Sequence, residues 1–182
     1  MDPMVNFSEA EFLREWKLRL GLLGQAEGCE IERHDMSETD ERVKSRMRSW
    51  YAGLLHTADP RFLPQRDLAG EVQKAVIEDD GALRITVPPG GCRPLEVKLR
   101  GWKHAVRVFH KPCSRFAARQ RDTLLRCTPQ NPGAVALPDA ILAYCPCETG
   151  ENAAGCIERL VMTAWPADGS YTMNVKLLND IK

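Results

Sequence analysis

The hydrophobic period of this chain changes once, near Val72, and that change restricts it to a mixed fold. Before it apolar residues recur at helical spacing; after it they alternate. Ser8 followed by Glu11 forms a capping box, and Phe7 can staple onto Phe12. Phe12, Leu13, Trp16, Leu20 and Leu23 then predict a first helix over about 8–23, with Gly24 as its stop. Ser37 is expected to cap a second helix carrying Val43, Met47, Trp50, Leu54 and Leu55 on one face, ended by "ADPRFLP". The polar stretch 24–36 reads as a connector.

Beyond Val72, "VQKAVIEDDGALRITVPP" reads as two strands about an Asp-Asp-Gly turn. In "PLEVKLRGWKHAVRVFH", Leu95, Val97 and Leu99 alternate with charges, Gly101-Trp102 turns, and Val106 and Val108 resume. Ser114 caps a short predicted helix, "SRFAARQRDTLLR". "AVALP" and "AILAYCP" form strands about Pro138-Asp139, and "CIERLVMTAW" is a further strand. The tail "SYTMNVKLLNDIK" fits both periods; helix is favoured because Ser170 can cap it. Hairpins rather than strand–helix alternation make the class α+β: an N-terminal helix pair over 1–58, then an antiparallel β-rich body over 59–182 with one inserted helix and a C-terminal helix. The two parts are expected to fold as one cooperative domain.

Twenty-five basic residues balance twenty-five acidic ones, so overall charge selects no partner. No apolar run approaches the roughly 20 residues that span a bilayer, and "MDPMVNFSEAEFLREW" lacks the basic start of a signal peptide. A cytoplasmic chain without a membrane segment is expected.

The cysteines carry the first chemical question. "YCPCETGENAAGC" places Cys145, Cys147 and Cys156 within one short stretch. As zinc ligands they lack a second close pair, and the fourth ligand would have to be Cys127, Cys113 or His110. A redox role prefers C-x-x-C at a helix N-terminus, whereas Cys145-Pro-Cys147 ends a strand. Ordinary thiols are therefore expected, with no cofactor; a small zinc-stabilised domain is the alternative.

There is no G-x-G-x-x-G, P-loop, H-E-x-x-H or G-x-S-x-G motif, and nothing identifies a catalytic carboxylate pair. "VPPGGCRP" reads as a tight turn, without a following helix to hold phosphate. A non-enzymatic role is expected. Local charge says more. Lys98, Arg100, Lys103, Arg107, Lys111, Arg115, Arg119 and Arg126 crowd one segment, with Arg115, Arg119, Asp122 and Arg126 on one helical stripe and Phe116, Gln120, Thr123 and Leu124 on another. Between residues 27 and 41 the charges are Glu27, Glu30, Glu32, Asp35, Glu38, Asp40 and Glu41 against Arg33 alone. Solvated faces are the plain reading; a nucleic-acid patch is one functional reading, with Trp102 and Phe109 able to stack on bases although their alternation favours both as core residues. Complementary surfaces for head-to-tail self-association or a protein partner are the other.

"ALRITVPPGGCRPLEVKLRGWKHAVRVF" and "NPGAVALPDAILAYCP", behind an N-terminal helix pair, resemble segments of short phage and prophage structural proteins of the head–tail adaptor or tail-tube type. The resemblance spans about residues 60–182 and implies a virion assembly subunit with no catalytic site, found in the virion. A small nucleic-acid-binding module using residues 98–126 is the alternative function.

Overall fold

A computed structural model of the chain describes residues 3–21, 36–120, 122, 124–145 and 153–181. The fold is α+β, as the periods require, and it divides into two units: 1–64 with 165–182, and 65–164.

In the first unit β1 (Met4–Phe7) leads into α1 (Glu9–Arg19). The capping box forms: Ser8 Oγ accepts from the Glu11 N–H, and the Glu11 carboxylate accepts from the Ser8 N–H at 2.9 Å. Phe7 stacks near Phe12, ring centroids 5.7 Å apart. The helix stops earlier than expected, because Gly21 turns to φ 66°; Gly24 lies outside the described residues. The second helix, α2 (Met36–Thr57), starts before Ser37 and runs to the Asp59-capped 3-10 turn Pro60–Phe62.

The tail resolves its two periods in sequence. Residues Tyr171–Asn174 form a strand, which pairs antiparallel with β1, and Val175–Leu178 form a single helical turn. Asn174, not Ser170, caps that turn by accepting from the Lys176 N–H at 3.0 Å. The alternating residues win because β1 offers backbone partners; Tyr171 and Met173 are buried. The 59–182 body therefore ends sooner than expected, since residues from Trp165 belong with the N-terminal helices.

This unit is built on rings. Phe12 stacks on Tyr171 at 4.8 Å, Trp16 meets Trp50 edge-on at 5.0 Å, and Tyr51 contacts both Trp165 and Tyr171. The buried Tyr51 hydroxyl donates to the Thr172 carbonyl at 2.9 Å and accepts from the Thr172 N–H at 3.1 Å. A side chain thereby satisfies both backbone groups of one strand residue.

The second unit carries two sheets. β2 (Gln65–Asp67) and β5 (Gly91–Leu99) flank β9 (Ile157–Ala164). The larger sheet runs β3 (Ala75–Ile77), β4 (Leu83–Thr86), β8 (Ala140–Tyr144), β7 (Gly133–Ala136), β6 (Phe109–His110). The Asp-Asp-Gly hairpin and the Pro138-Asp139 hairpin both form, antiparallel; β6 alone joins in parallel. Leu68, Ile85, Val97, Leu99, Trp102, Ile141, Leu160 and Met162 are among the buried residues of the shared core.

Strand β5 departs from simple alternation. Register shifts interrupt its pairing with β9, and Glu96 is buried beside Val97. Its carboxylate accepts from Arg107 Nε at 2.7 Å and pairs with Arg159 Nη1 at 3.2 Å, which satisfies the buried charge. Val108 is exposed rather than continuing the expected strand.

Candidate functional site

Two cavities of about 340 and 380 Å³ lie over the larger sheet and share a wall of Asp80 and Tyr144. The first is bordered by Cys113, Ser114 and Ala117, the second by Gln120, Arg126, Cys127 and Cys145. Gly133 sets how closely this wall packs: a Cβ there would overlap the Phe116 ring and stand 2.9 Å from Cys127 Sγ. Phe116 in turn stacks on His110 at 3.9 Å, nearly parallel.

The inserted helix is shorter than the sequence suggests. α3 (Arg115–Arg119) starts where predicted, at the Ser114 cap, but lasts five residues. Gln120 ends it: its side-chain amide donates to the Phe116 carbonyl at 3.2 Å and its oxygen accepts from the Cys127 N–H at 2.9 Å. Asp122 then holds the Leu124 N–H at 2.9 Å, an Asx turn that competes with helix. Leu124, expected on a stripe with Phe116 and Gln120, is instead 91% exposed, and Leu125 57%. Leu125 borders a shallow recess with Arg115, Ala118, Arg119 and Asp122.

The eight expected basic residues separate into two sets. Lys98 pairs with Glu158 at 2.7 Å, Arg107 with Glu96, and Arg100 donates to the Gly155 carbonyl at 3.0 Å. The side chains of Lys103, Lys111, Arg115, Arg119 and Arg126 make no ion pair with a described residue. Trp102 is 3% exposed and gives its indole N–H to the Cys145 carbonyl at 2.8 Å, so it is a core residue and not a stacking platform. Phe109 packs half-buried against the same core. Of the acidic stretch, Asp40 and Glu41 form ion pairs with Lys17 and Lys44; Glu27, Glu30, Glu32 and Asp35 lie outside the described residues.

The cysteines are redistributed. Cys156 is fully buried in the core of the unit, whereas Cys145 borders the larger cavity together with Cys127. Cys147 lies outside the described residues. Burial pushes the Cys127 thiol up, a hydrogen bond involving Gln120 pulls it back in part, and Cys145 raises it further. Among the described residues no three His, Cys, Asp or Glu side chains are grouped so as to hold a metal, and no helix is long and apolar enough to cross a membrane.

In comparisons with known proteins, no family model, no curated protein and no solved structure matches this chain significantly.

Proposed function

We propose that this chain is a non-enzymatic assembly subunit that docks on an acidic protein surface through residues 111–126. The observation that carries this reading is a contrast within the 65–164 unit. Arg66, Arg84, Lys98, Arg107 and Arg159 all have carboxylate partners. Lys111, Arg115, Arg119 and Arg126 have none among the described residues, and Leu124 and Leu125 stand exposed beside them. Arginines around exposed leucines match the make-up of binding surfaces, where apolar anchors are ringed by charge. A partner with acidic residues around an apolar recess complements both features. Phosphate backbones complement only the cations, which is why a protein is favoured over nucleic acid. The resemblance to head–tail connector and tail-type proteins supports a virion or prophage setting for that partner.

The test is co-sedimentation with the purified products of the neighbouring genes, beside gel shifts with single- and double-stranded DNA. Binding to one such protein, lost on Leu124→Asp and on Arg115→Glu with Arg119→Glu, is the expected result. DNA binding whose affinity falls steeply with salt and ignores Leu124→Asp would overturn it in favour of a nucleic-acid module. Neighbouring genes that encode only metabolic enzymes would remove the virion setting.

A further inference from the structure

We propose that Cys127 and Cys145 form one oxidisable dithiol, a modification site at which peroxide joins them into a disulfide tying the turn after α3 to the end of β8. The placement follows from the strand pairing. Cys127 Sγ lies against Gly133, 2.9 Å from where a Cβ would stand. Gly133 is the cross-strand partner of Tyr144, and directly opposed residues of antiparallel strands stand only about 4.5–5.5 Å apart. Cys145 is the next residue along. Strand alternation would turn it to the face opposite Tyr144, but its backbone takes φ 64°, the one positive φ at a non-glycine residue among those described. That left-handed step sets Cys145 on the cavity that Tyr144 and Cys127 border. The conformation is disfavoured for a residue with a side chain, and such departures concentrate where a side chain must be aimed. The Trp102 indole anchors it through the Cys145 carbonyl.

The cavity also supplies access. At about 380 Å³ it is roomy enough for a molecule as small as hydrogen peroxide, and both cysteines border it. The chemistry balances with peroxide as the only oxidant. The Cys145 thiolate attacks one peroxide oxygen; the O–O bond breaks, water leaves after proton transfer, and Cys145 carries a sulfenic acid. Cys127 sulfur then displaces that hydroxyl as a second water and the S–S bond forms. Two thiols and one peroxide give one disulfide and two waters. Burial raises the Cys127 thiol, so the first attack falls to Cys145, and Cys127 gives up its proton to the leaving hydroxyl in the second step.

The experiment uses the full chain, reduced, freed of metal by a chelator and treated with stoichiometric hydrogen peroxide. Trypsin alone leaves Cys127, Cys145, Cys147 and Cys156 in one peptide, because no Lys or Arg falls between Arg126 and Arg159. Adding a protease that cuts before Asp139 separates Cys127 from the other three. Expected is a crosslinked pair of peptides about 2 Da lighter than their sum, with fragmentation placing the bond at Cys145. The bond should persist in Cys147→Ser and Cys156→Ser and vanish in Cys127→Ser and Cys145→Ser. A bond from Cys127 to Cys147 or Cys156, a Cys145–Cys147 bond, or a Cys127 thiol still fully alkylated after peroxide would each overturn the assignment. So would stoichiometric zinc in the untreated protein that shields Cys127 and Cys145 from oxidation. The wild-type chain alone decides between these results, so a variant that fails to fold does not rescue the idea.

Discussion

Replacing Tyr51 by Phe removes one oxygen and keeps the ring. The ring contacts to Phe12, Trp165 and Tyr171 remain, so no cavity opens. What is lost is the hydroxyl that serves both the N–H and the C=O of Thr172. An intramolecular hydrogen bond contributes about 0.5–1.5 kcal/mol net, so losing two destabilises by roughly 1–3 kcal/mol. For a chain of this length that corresponds to a fall in Tm of about 2–4 °C per kcal/mol. Equilibrium urea unfolding should show a lower midpoint with an unchanged slope, since the surface exposed on unfolding is the same. Hydrogen exchange adds a local readout: the Thr172 amide should lose protection more than its strand neighbours. Tyr171→Phe is the control, because its hydroxyl meets the side chains of Glu9, at 3.5 Å, and of Arg48 rather than the backbone of a strand, and its cost should be smaller. A Tyr51→Phe protein within about 0.3 kcal/mol of wild type, with Thr172 still protected, would refute the reasoning; surface changes fall within ±0.5 kcal/mol.

Three further outcomes are expected. Gly133→Ala should destabilise by about 1–3 kcal/mol, the usual cost of overpacking, and should speed alkylation of Cys127 as Phe116 and the thiol are pushed apart; an unchanged alkylation rate counts against that packing. Glu96→Ala removes the shared partner of Arg107 and Arg159 and should cost about 1–2 kcal/mol in urea unfolding, whereas Glu158→Ala, at a more exposed pair, should cost under about 1 kcal/mol. Stability should also fall at both ends of the pH scale. Burial raises the Tyr171 hydroxyl and the Cys92 and Cys127 thiols, so their contribution is whole below the unfolded values of roughly 8.5 for a thiol and 10 for a tyrosine and is lost as pH rises. The hydrogen bonds from Ser8 and Ser170 lower Glu11 and Asp168; their contribution is present above roughly pH 4 and lost in acid. Urea midpoints that climb from pH 8.5 to 10.5 would contradict the first half of this.

What sequence reading reaches here is the part of the fold set by neighbours along the chain. Ser8 with Glu11 specifies a helix start, and Asp79-Asp80-Gly81 a hairpin, without help from distant residues. The α+β class follows from such local signals. The tail was ambiguous because its answer depends on β1, far away in sequence, which offers Tyr171–Asn174 a strand to pair with. The α3 stripe failed for a similar reason. Gln120 bonds forward to Cys127, and a helical wheel cannot represent that bond. Burial of Glu96 depends on Arg159 of another strand. In the basic segment the sequence shows the charges but not which are already paired. Cys127 was visible only as a distant candidate beside Cys145; it takes the β7–β8 register and one positive φ to bring the two to a single cavity.

The pairing of β1 with the Tyr171–Asn174 strand gives the chain an unusual order of assembly on the ribosome. Asn6 bonds to Thr172 across 166 residues, and along the sequence the whole 65–164 unit is inserted between the two strands. Synthesis proceeds from the N-terminus and domains fold as they emerge. The first strand therefore waits for its mate until the whole 65–164 stretch has been made, with Phe12 and Tyr51 lacking the Tyr171 ring they pack against. β1, made before any part of the 65–164 unit, is among the last segments to be sealed, and a nascent chain stalled before Tyr171 would present those aromatics to chaperones.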